Sequence, residues 1–205
     1  MKNFIVRSYV TDNTPYLDVA KQYLIPSLKK FHSIDYAIDT VPNLGSWRQN
    51  TAYKPEFILN KLYNKHYKST IFLDADATVE QYPSLFDVIP EEYDMACHFL
   101  DWETWYGHTQ ARKELLSGTL MFRNNREHVI RMVNTWKVEA QKGNEWEQVT
   151  LARVLERNDD IKVFELPLSY IYIRTLPNGD EPKVKIKNPI IVHHQVSRTL
   201  KRMIK

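Results

Sequence analysis

The sequence predicts an α/β fold with a mostly parallel central sheet flanked by helices. Three observations carry that prediction. Short apolar runs alternate along the chain with stretches whose apolar residues recur at helical spacing. The most apolar run, Thr70-Ile-Phe-Leu73, is continuous rather than alternating, as in a parallel strand buried on both faces. A hydrophobic share of 43% against 26% charged residues, in 205 residues, suits one packed domain spanning 1–205.

Each element follows in order. Phe4-Ile5-Val6 reads as the first strand. Thr14-Pro15 opens a helix, with Thr as N-cap and Pro at the first helical position, and Leu17, Ala20, Leu24 and Leu28 continue its apolar face. Asp35 to Asp39 alternates like a strand, and Pro55 opens a second helix with a stripe of Ile58, Leu59, Leu62 and Tyr63. After Thr70–Leu73, Pro83 starts a short helix reaching Val88, and Met95 to Phe99 is a further strand. Asp101 to Lys113 is polar and aromatic without a period, which predicts a loop; Thr119 to Phe122 returns to strand. Glu127–Gln141 and Glu145–Arg157 read as helices, and short strands near Val163, Ile171 and Ile190 close the chain.

Composition excludes several classes. A single cysteine, Cys97, rules out an internal disulfide and any multi-cysteine zinc site. No run of 18 apolar residues exists, so no membrane span is expected, and Met1 to Tyr9 lacks the apolar length of a secretory signal. A soluble, reducing, cytoplasmic setting is the expectation. Five glycines, with neither a GxGxxG nor a P-loop pattern, argue against dinucleotide and P-loop enzymes. A net charge of +3 suits an anionic partner and is too mild to name nucleic acid.

Ligands of open α/β sheets bind beyond the carboxyl ends of the strands. The first strand ends at Arg7-Ser8-Tyr9 and the apolar strand at Asp74-Ala75-Asp76. Two carboxylates one residue apart at a strand end can share a hard divalent cation such as Mn²⁺ or Mg²⁺, leaving positions open for phosphate oxygens. The spacing alone fits equally a solvated turn in which each Asp caps backbone amides. Ile190-Ile-Val192 runs directly into His193-His194, and the His193 imidazole would complete a carboxylate site, or be an ordinary core histidine. His194 would face the other way.

Several segments resemble a known family. Phe72-Leu-Asp-Ala-Asp-Ala77 resembles the DxD segment of GT-A nucleotide-sugar glycosyltransferases, in the small bacterial and phage type. Tyr53-Lys-Pro-Glu-Phe-Ile58 resembles the Lys-Pro helix start that precedes the DxD strand there. Ser117-Gly-Thr-Leu-Met-Phe122 resembles the glycine-led strand bordering the acceptor, and Trp146-Glu-Gln148 the acidic helix start under the sugar. His193-x-x-x-Ser197-Arg198 resembles the C-terminal segment for metal and diphosphate. The likeness runs from Phe4 to about Lys201.

That resemblance implies a single GT-A-like, Rossmann-like domain and transfer of a hexose from a nucleoside-diphosphate sugar, by default a UDP-sugar. The acceptor would be a hydroxyl of a glycan, a protein or a modified phage DNA. Asp74, Asp76 and His193 would hold the metal. Tyr9, Thr11, Lys54, Asp74, Ser197, Arg198 and Lys201 would bind the donor. Glu147 and Gln148 would serve catalysis, and Gly118 would border the acceptor.

The residues themselves add detail. Lys54 precedes a proline, which biases its backbone towards an extended approach to the donor. Trp47, Arg48 and Asn50 lie just upstream and could also face the donor, with Lys54 preferred over Arg48. Asn144-Glu-Trp-Glu147 also reads as a capping box, a structural use of Glu147 that competes with the functional one. Aromatic rings pack on sugar faces and bases, so Trp102 and Trp105, in the run from Asp101 to His108, are candidates for the acceptor wall. A sugar-nucleotide nucleotidyltransferase would want a glycine-rich basic loop after the first strand, which Tyr9 to Thr14 lacks. A non-catalytic carbohydrate- or nucleic-acid-binding module predicts no metal requirement. A glycoside hydrolase would need carboxylates about 5–9.5 Å apart across the bond, which adjacent strand-end Asp residues fit poorly.

Overall fold

In the computed structural model, residues 1–107, 112–143, 145–176 and 179–201 are described. The chain opens with β1 (Lys2–Thr11), α1 (Tyr16–Gln22), α2 (Leu24–Lys29), β2 (Tyr36–Val41), α3 (Trp47–Ala52) and α4 (Lys54–Leu59). It continues through β3 (Tyr67–Leu73), β4 (Ala77–Val79), α5 (Leu85–Val88), β5 (Met95–Asp101), α6 (Trp102–Tyr106) and β6 (Lys113–Arg123). It closes with α7 (Glu127–Gln141), α8 (Glu147–Leu155), β7 (Val163–Glu165), β8 (Tyr172–Ile173), β9 (Ile191–His193) and α9 (Ser197–Leu200).

The main sheet has the order β2-β1-β3-β6-β5-β7. Only β6 runs against its neighbours, so the sheet is mostly parallel. Thr70, Ile71, Phe72 and Leu73 of β3 are all buried, as a strand covered on both faces requires. One face packs Phe72 and Phe122 against Phe57 of α4, Trp136 of α7 and Leu151 of α8. The other packs Ile71 and Met121 against Leu24 and Leu28 of α2 and Phe86 of α5. A second sheet, β4-β9-β8, stands beside the carboxyl end of β3. Its strands run two or three residues, too short for any periodicity in sequence to declare their pairing.

Some local expectations are corrected. The helix expected from Thr14 to Leu28 is two helices, broken at Tyr23 (φ −112°, ψ −72°). Pro26 explains the break: it has no N–H for the Gln22 carbonyl. Leu17 consequently faces solvent at 39% exposed, while Ala20, Leu24 and Leu28 are fully buried. Pro15 takes the N-cap position, and Thr14 Oγ1 instead accepts from the Tyr16 N–H. In the second helix the stripe ends at Leu62; Tyr63 is exposed.

Lys54 is not extended. It is the first residue of α4, with its ammonium buried, because pairing with two carboxylates outweighs the preference imposed by Pro55. The loop expected from Asp101 to Lys113 holds α6. Asp101 Oδ1 caps it by accepting from the Glu103 and Thr104 N–H groups, and Gly107 (φ 71°) ends it in the left-handed region. His108 lies outside the described residues, as does Asn144, so the proposed cap of the later helix falls partly there. That helix starts at Glu147 behind Trp146, with no side-chain cap.

Candidate active site

The parallel strands β1 and β3 end on one edge of the sheet. There the chain turns: Ala77 N–H donates to Asp74 O at 3.0 Å, closing a turn that carries both aspartates. Antiparallel β6 returns Ser117, Gly118 and Thr119 to the same edge, with Thr119 opposite Leu73 and the Asp74 N–H bonded to Gly118 O at 2.9 Å. Pairing of β4 with β9 sets Ala77 opposite His193. Three distant segments thus meet at one point.

Asp74, Asp76 and His193 each offer a ligand atom, and these atoms lie within 4.8 Å of one another. Each has a second contact that aims it. Asp76 Oδ2 accepts from the Val196 N–H at 2.8 Å, leaving Oδ1 3.9 Å from His193 Nδ1. His193 Nε2 sits 2.9 Å from Thr119 Oγ1. A cation at Nδ1 requires the proton on Nε2, where the threonine oxygen accepts it. Gly118 completes the geometry: a Cβ there would lie 2.8 Å from His193 Cε1, 2.9 Å from Nδ1 and 3.2 Å from Asp74 Oδ2. The donor set and the space kept clear behind it fit a divalent cation.

Electrostatics divide the two aspartates. Burial opposes ionisation of Asp76, but the His193 ring and the Val196 amide outweigh it and hold its carboxyl below the usual range. Partial loss of hydration inside the cavity is the largest influence on Asp74, whose side chain is still 39% exposed; with Asp76 and Glu147 adding repulsion it raises the pKa despite Lys54.

Lys54 forms the floor. Its Nζ lies 3.0 Å from Asp74 Oδ1 and 2.8 Å from Glu147 Oε1, and donates to Ser117 O and Oγ at 3.2 and 3.1 Å. Burial would favour the neutral amine, but the two carboxylates prevail and raise its pKa. Ser117 Oγ donates to Glu147 Oε1 at 2.7 Å, so this oxygen is directed inwards. Trp136 Nε1 fastens the start of α8 by donating to Glu147 O at 2.7 Å. Gln148 follows: its Oε1 accepts from the Ser117 N–H at 3.0 Å, and its Nε2 donates to Glu114 Oε1 at 2.7 Å.

These groups line a cavity of about 460 Å³. Tyr9, Thr11, Ser197, Arg198, Lys201, Trp102 and Gly118 reach its walls, as do Trp47 and Asn50; Arg48 does not. Tyr9 packs among Tyr53, Phe57 and Phe72 and donates to Asn50 O at 2.7 Å. Arg198 donates to Thr175 O, and Lys201 Nζ lies over the Trp47 ring at 5.8 Å. His194 turns away and stacks on Tyr23. Trp105 departs from expectation: it is 1% exposed, packed with Leu100, Leu116 and Tyr172, and is no part of the cavity wall. Tyr106, one turn on from Trp102, takes the cavity side with it, while the Trp105 ring packs into the core instead. Glu114, Ser117, Tyr16 and Trp146 also line the cavity and were not singled out as site residues from sequence.

The fold is the GT-A-type fold of solved glycosyltransferases, and a DxD-like cluster stands at the end of β3. The particular likenesses are to solved structures. A glycosyltransferase involved in glycosylating the major capsid of PBCV-1 matches with a TM-score of 0.68 at 12% identity, covering 98% of this chain and 97% of that one. Mouse xyloside xylosyltransferase 1 matches with 0.55 at 11% identity, over 96% and 99%. Galactosyltransferase LgtC, solved with donor and acceptor sugar analogues, matches with 0.52 at 11% identity, over 93% and 86%. No protein-family model and no curated protein matches the chain.

Proposed function

We propose that this protein is a metal-dependent glycosyltransferase that moves a hexose from a nucleoside-diphosphate sugar, a UDP-sugar first, to a hydroxyl acceptor. The observation that carries the reading is the Asp74–Asp76–His193 cluster set directly against the buried Lys54–Glu147 pair. Asp74, Asp76 and His193 would hold Mn²⁺ or Mg²⁺. Bound there, the cation would neutralise charge on the departing nucleoside diphosphate.

The chain's own groups do the rest. Ser197, Arg198 and Lys201, on the wall beside Asp76, bind diphosphate oxygens. Tyr9 and Thr11 border the base and ribose. Lys54 holds Asp74 and Glu147 at fixed separation beneath the sugar. Glu147, with Oε1 committed to Lys54 and Ser117, presents a fixed negative charge to the sugar ring, and Gln148 presents its amide beside it. Trp102 and Tyr106, with Gly118 at the back of the cavity, serve the acceptor side, and Trp105 is dropped from it. The acceptor is a hydroxyl of a glycan, a protein or modified DNA. Residues 1–205 are taken as one domain. No helix among the described residues is long and apolar enough to cross a membrane. The free, buried Cys97 suits the cytoplasm, which we take as the site of action.

The test is nucleotide release from a panel of sugar nucleotides, with Mn²⁺ and with a chelator. We expect metal-dependent turnover, reduced about 100-fold or more in Asp76→Ala, because several kcal/mol of charge stabilisation go with the ion. Failure of every sugar nucleotide to bind or turn over refutes the reading.

A further inference from the structure

We infer that Glu114 is a positioning residue of the transfer reaction, acting through Gln148 and Trp102; this rests on the glycosyltransferase reading above. Glu114 is half-buried on the cavity wall. Its two oxygens serve two different elements. Oε1 accepts from Gln148 Nε2 on α8 at 2.7 Å, and Oε2 accepts from Trp102 Nε1 on α6 at 2.7 Å.

The donor and acceptor identities make this arrangement unambiguous. A carboxylate only accepts, and an indole N–H or a backbone N–H only donates. Gln148 is held at both ends by such one-way partners: the Ser117 N–H meets its oxygen at 3.0 Å, and Glu114 meets its nitrogen. Its amide therefore has a single orientation. The oxygen stands beside Ser117 Oγ (3.4 Å) and the Lys54–Glu147 pair, where the sugar ring is placed. Without the Glu114 carboxylate the nitrogen loses its acceptor, and the orientation rests on one bond to Ser117.

The same carboxylate ties down the aromatic wall. Trp102 starts α6, its backbone N–H donates to Arg112 O at 3.0 Å, and the Arg112 guanidinium covers its ring at 4.3 Å. With Nε1 bonded to Glu114, the ring is coupled to Gln148 through two short, charge-assisted bonds. A neutral Gln at 114 keeps the shape but offers one accepting oxygen and an amino group. It can satisfy one of the two donors and must oppose the other.

The experiment is a double-mutant cycle on wild type, Glu114→Gln, Gln148→Ala and the double variant. UDP release from UDP-glucose or UDP-galactose into water is followed with Mn²⁺ present. Glu114→Gln should lower kcat about 10- to 100-fold with donor KM within about twofold, the scale of a misplaced reacting group. In the Gln148→Ala background it should cost no more than about twofold further, because the residue acts through Gln148. Unfolding midpoints accompany each variant. Trp102→Phe, which removes only the indole and its N–H on the acceptor side, should leave this release into water within about twofold, so that the loss in Glu114→Gln reports the Gln148 arm. In ¹H–¹⁵N spectra the Gln148 side-chain amide, assigned by its absence in Gln148→Ala, should shift in Glu114→Gln. Full activity in Glu114→Gln, losses that multiply in the double variant, or an unmoved Gln148 amide each overturn the inference while leaving glycosyl transfer intact. A wild type that releases nucleotide from neither donor, nor from the wider panel, overturns the transfer reading and this inference with it.

Discussion

Replacing Lys54 by methionine takes one positive charge from between two carboxylates and leaves an unbranched side chain of similar length in place. The side chains of Lys54 and Glu147 are 4% and 7% exposed, so this pair is buried; Asp74 is 39% exposed and reaches solvent. Breaking a buried pair by removing one partner costs about 3–5 kcal/mol, because the other charge stays behind. The solvent-reaching contact to Asp74 adds no more than about 1 kcal/mol. A loss of about 3–5 kcal/mol corresponds to about 6–20 °C in Tm for a chain of this size. Urea unfolding in the presence of chelator measures it. The second arm is Lys54→Met with Glu147→Gln, which removes the stranded charge and should recover most of the loss. A single variant within about 1 kcal/mol of wild type, or a double variant in which the two losses simply add, refutes the argument that the ammonium exists to neutralise Glu147.

Two further outcomes are expected. Gly118→Ala places a methyl group 2.8 Å from His193 Cε1 and 3.2 Å from Asp74 Oδ2, so titration calorimetry should show Mn²⁺ affinity reduced by about tenfold or more; unchanged affinity refutes the placement of the cation. Asp94 accepts from Arg126 and His128 through Oδ1 at 2.6 and 2.7 Å, and from the Lys162 N–H through Oδ2 at 2.9 Å. Burial opposes its charge, but these partners prevail and lower its pKa. Its contribution is therefore present above the unfolded value of about 3.9 and is lost as pH falls through the lower folded value. Asp94→Asn should cost about 1–3 kcal/mol at neutral pH, with the difference from wild type shrinking in acid; a difference independent of pH contradicts the linkage.

How much of this was legible in the sequence can be argued from particular residues. The strand at Thr70–Leu73 was plain because burial on both faces leaves a continuous apolar run, and α7 was plain because Val129, Met132, Val133, Trp136 and Ala140 repeat at helical spacing. Helix α6 was missed although Asp101 and Gly107 are a cap pair at either end of it, since aromatic crowding hid the period. The break at Tyr23 depended on Pro26, which an apolar stripe read alone overrides. Trp105 was misplaced because two tryptophans in one short helix look alike in sequence, and only packing separates the one at the cavity from the one in the core.

The sequence by itself determined the alternation of strands and helices, the acidic pair at a buried strand's end, and the imidazole that follows another strand. Local chemistry suffices for these, because burial and turning are written in neighbouring residues. Only the tertiary structure decided that Asp74, Lys54, Ser117, Glu147, Gln148 and Glu114 form one connected polar chain. Their partners lie 20 to more than 90 positions apart in sequence, and a salt bridge or a shared carboxylate leaves no local pattern. It follows from antiparallel β6 returning to the edge where β3 ends, which is a property of the sheet rather than of any segment within it.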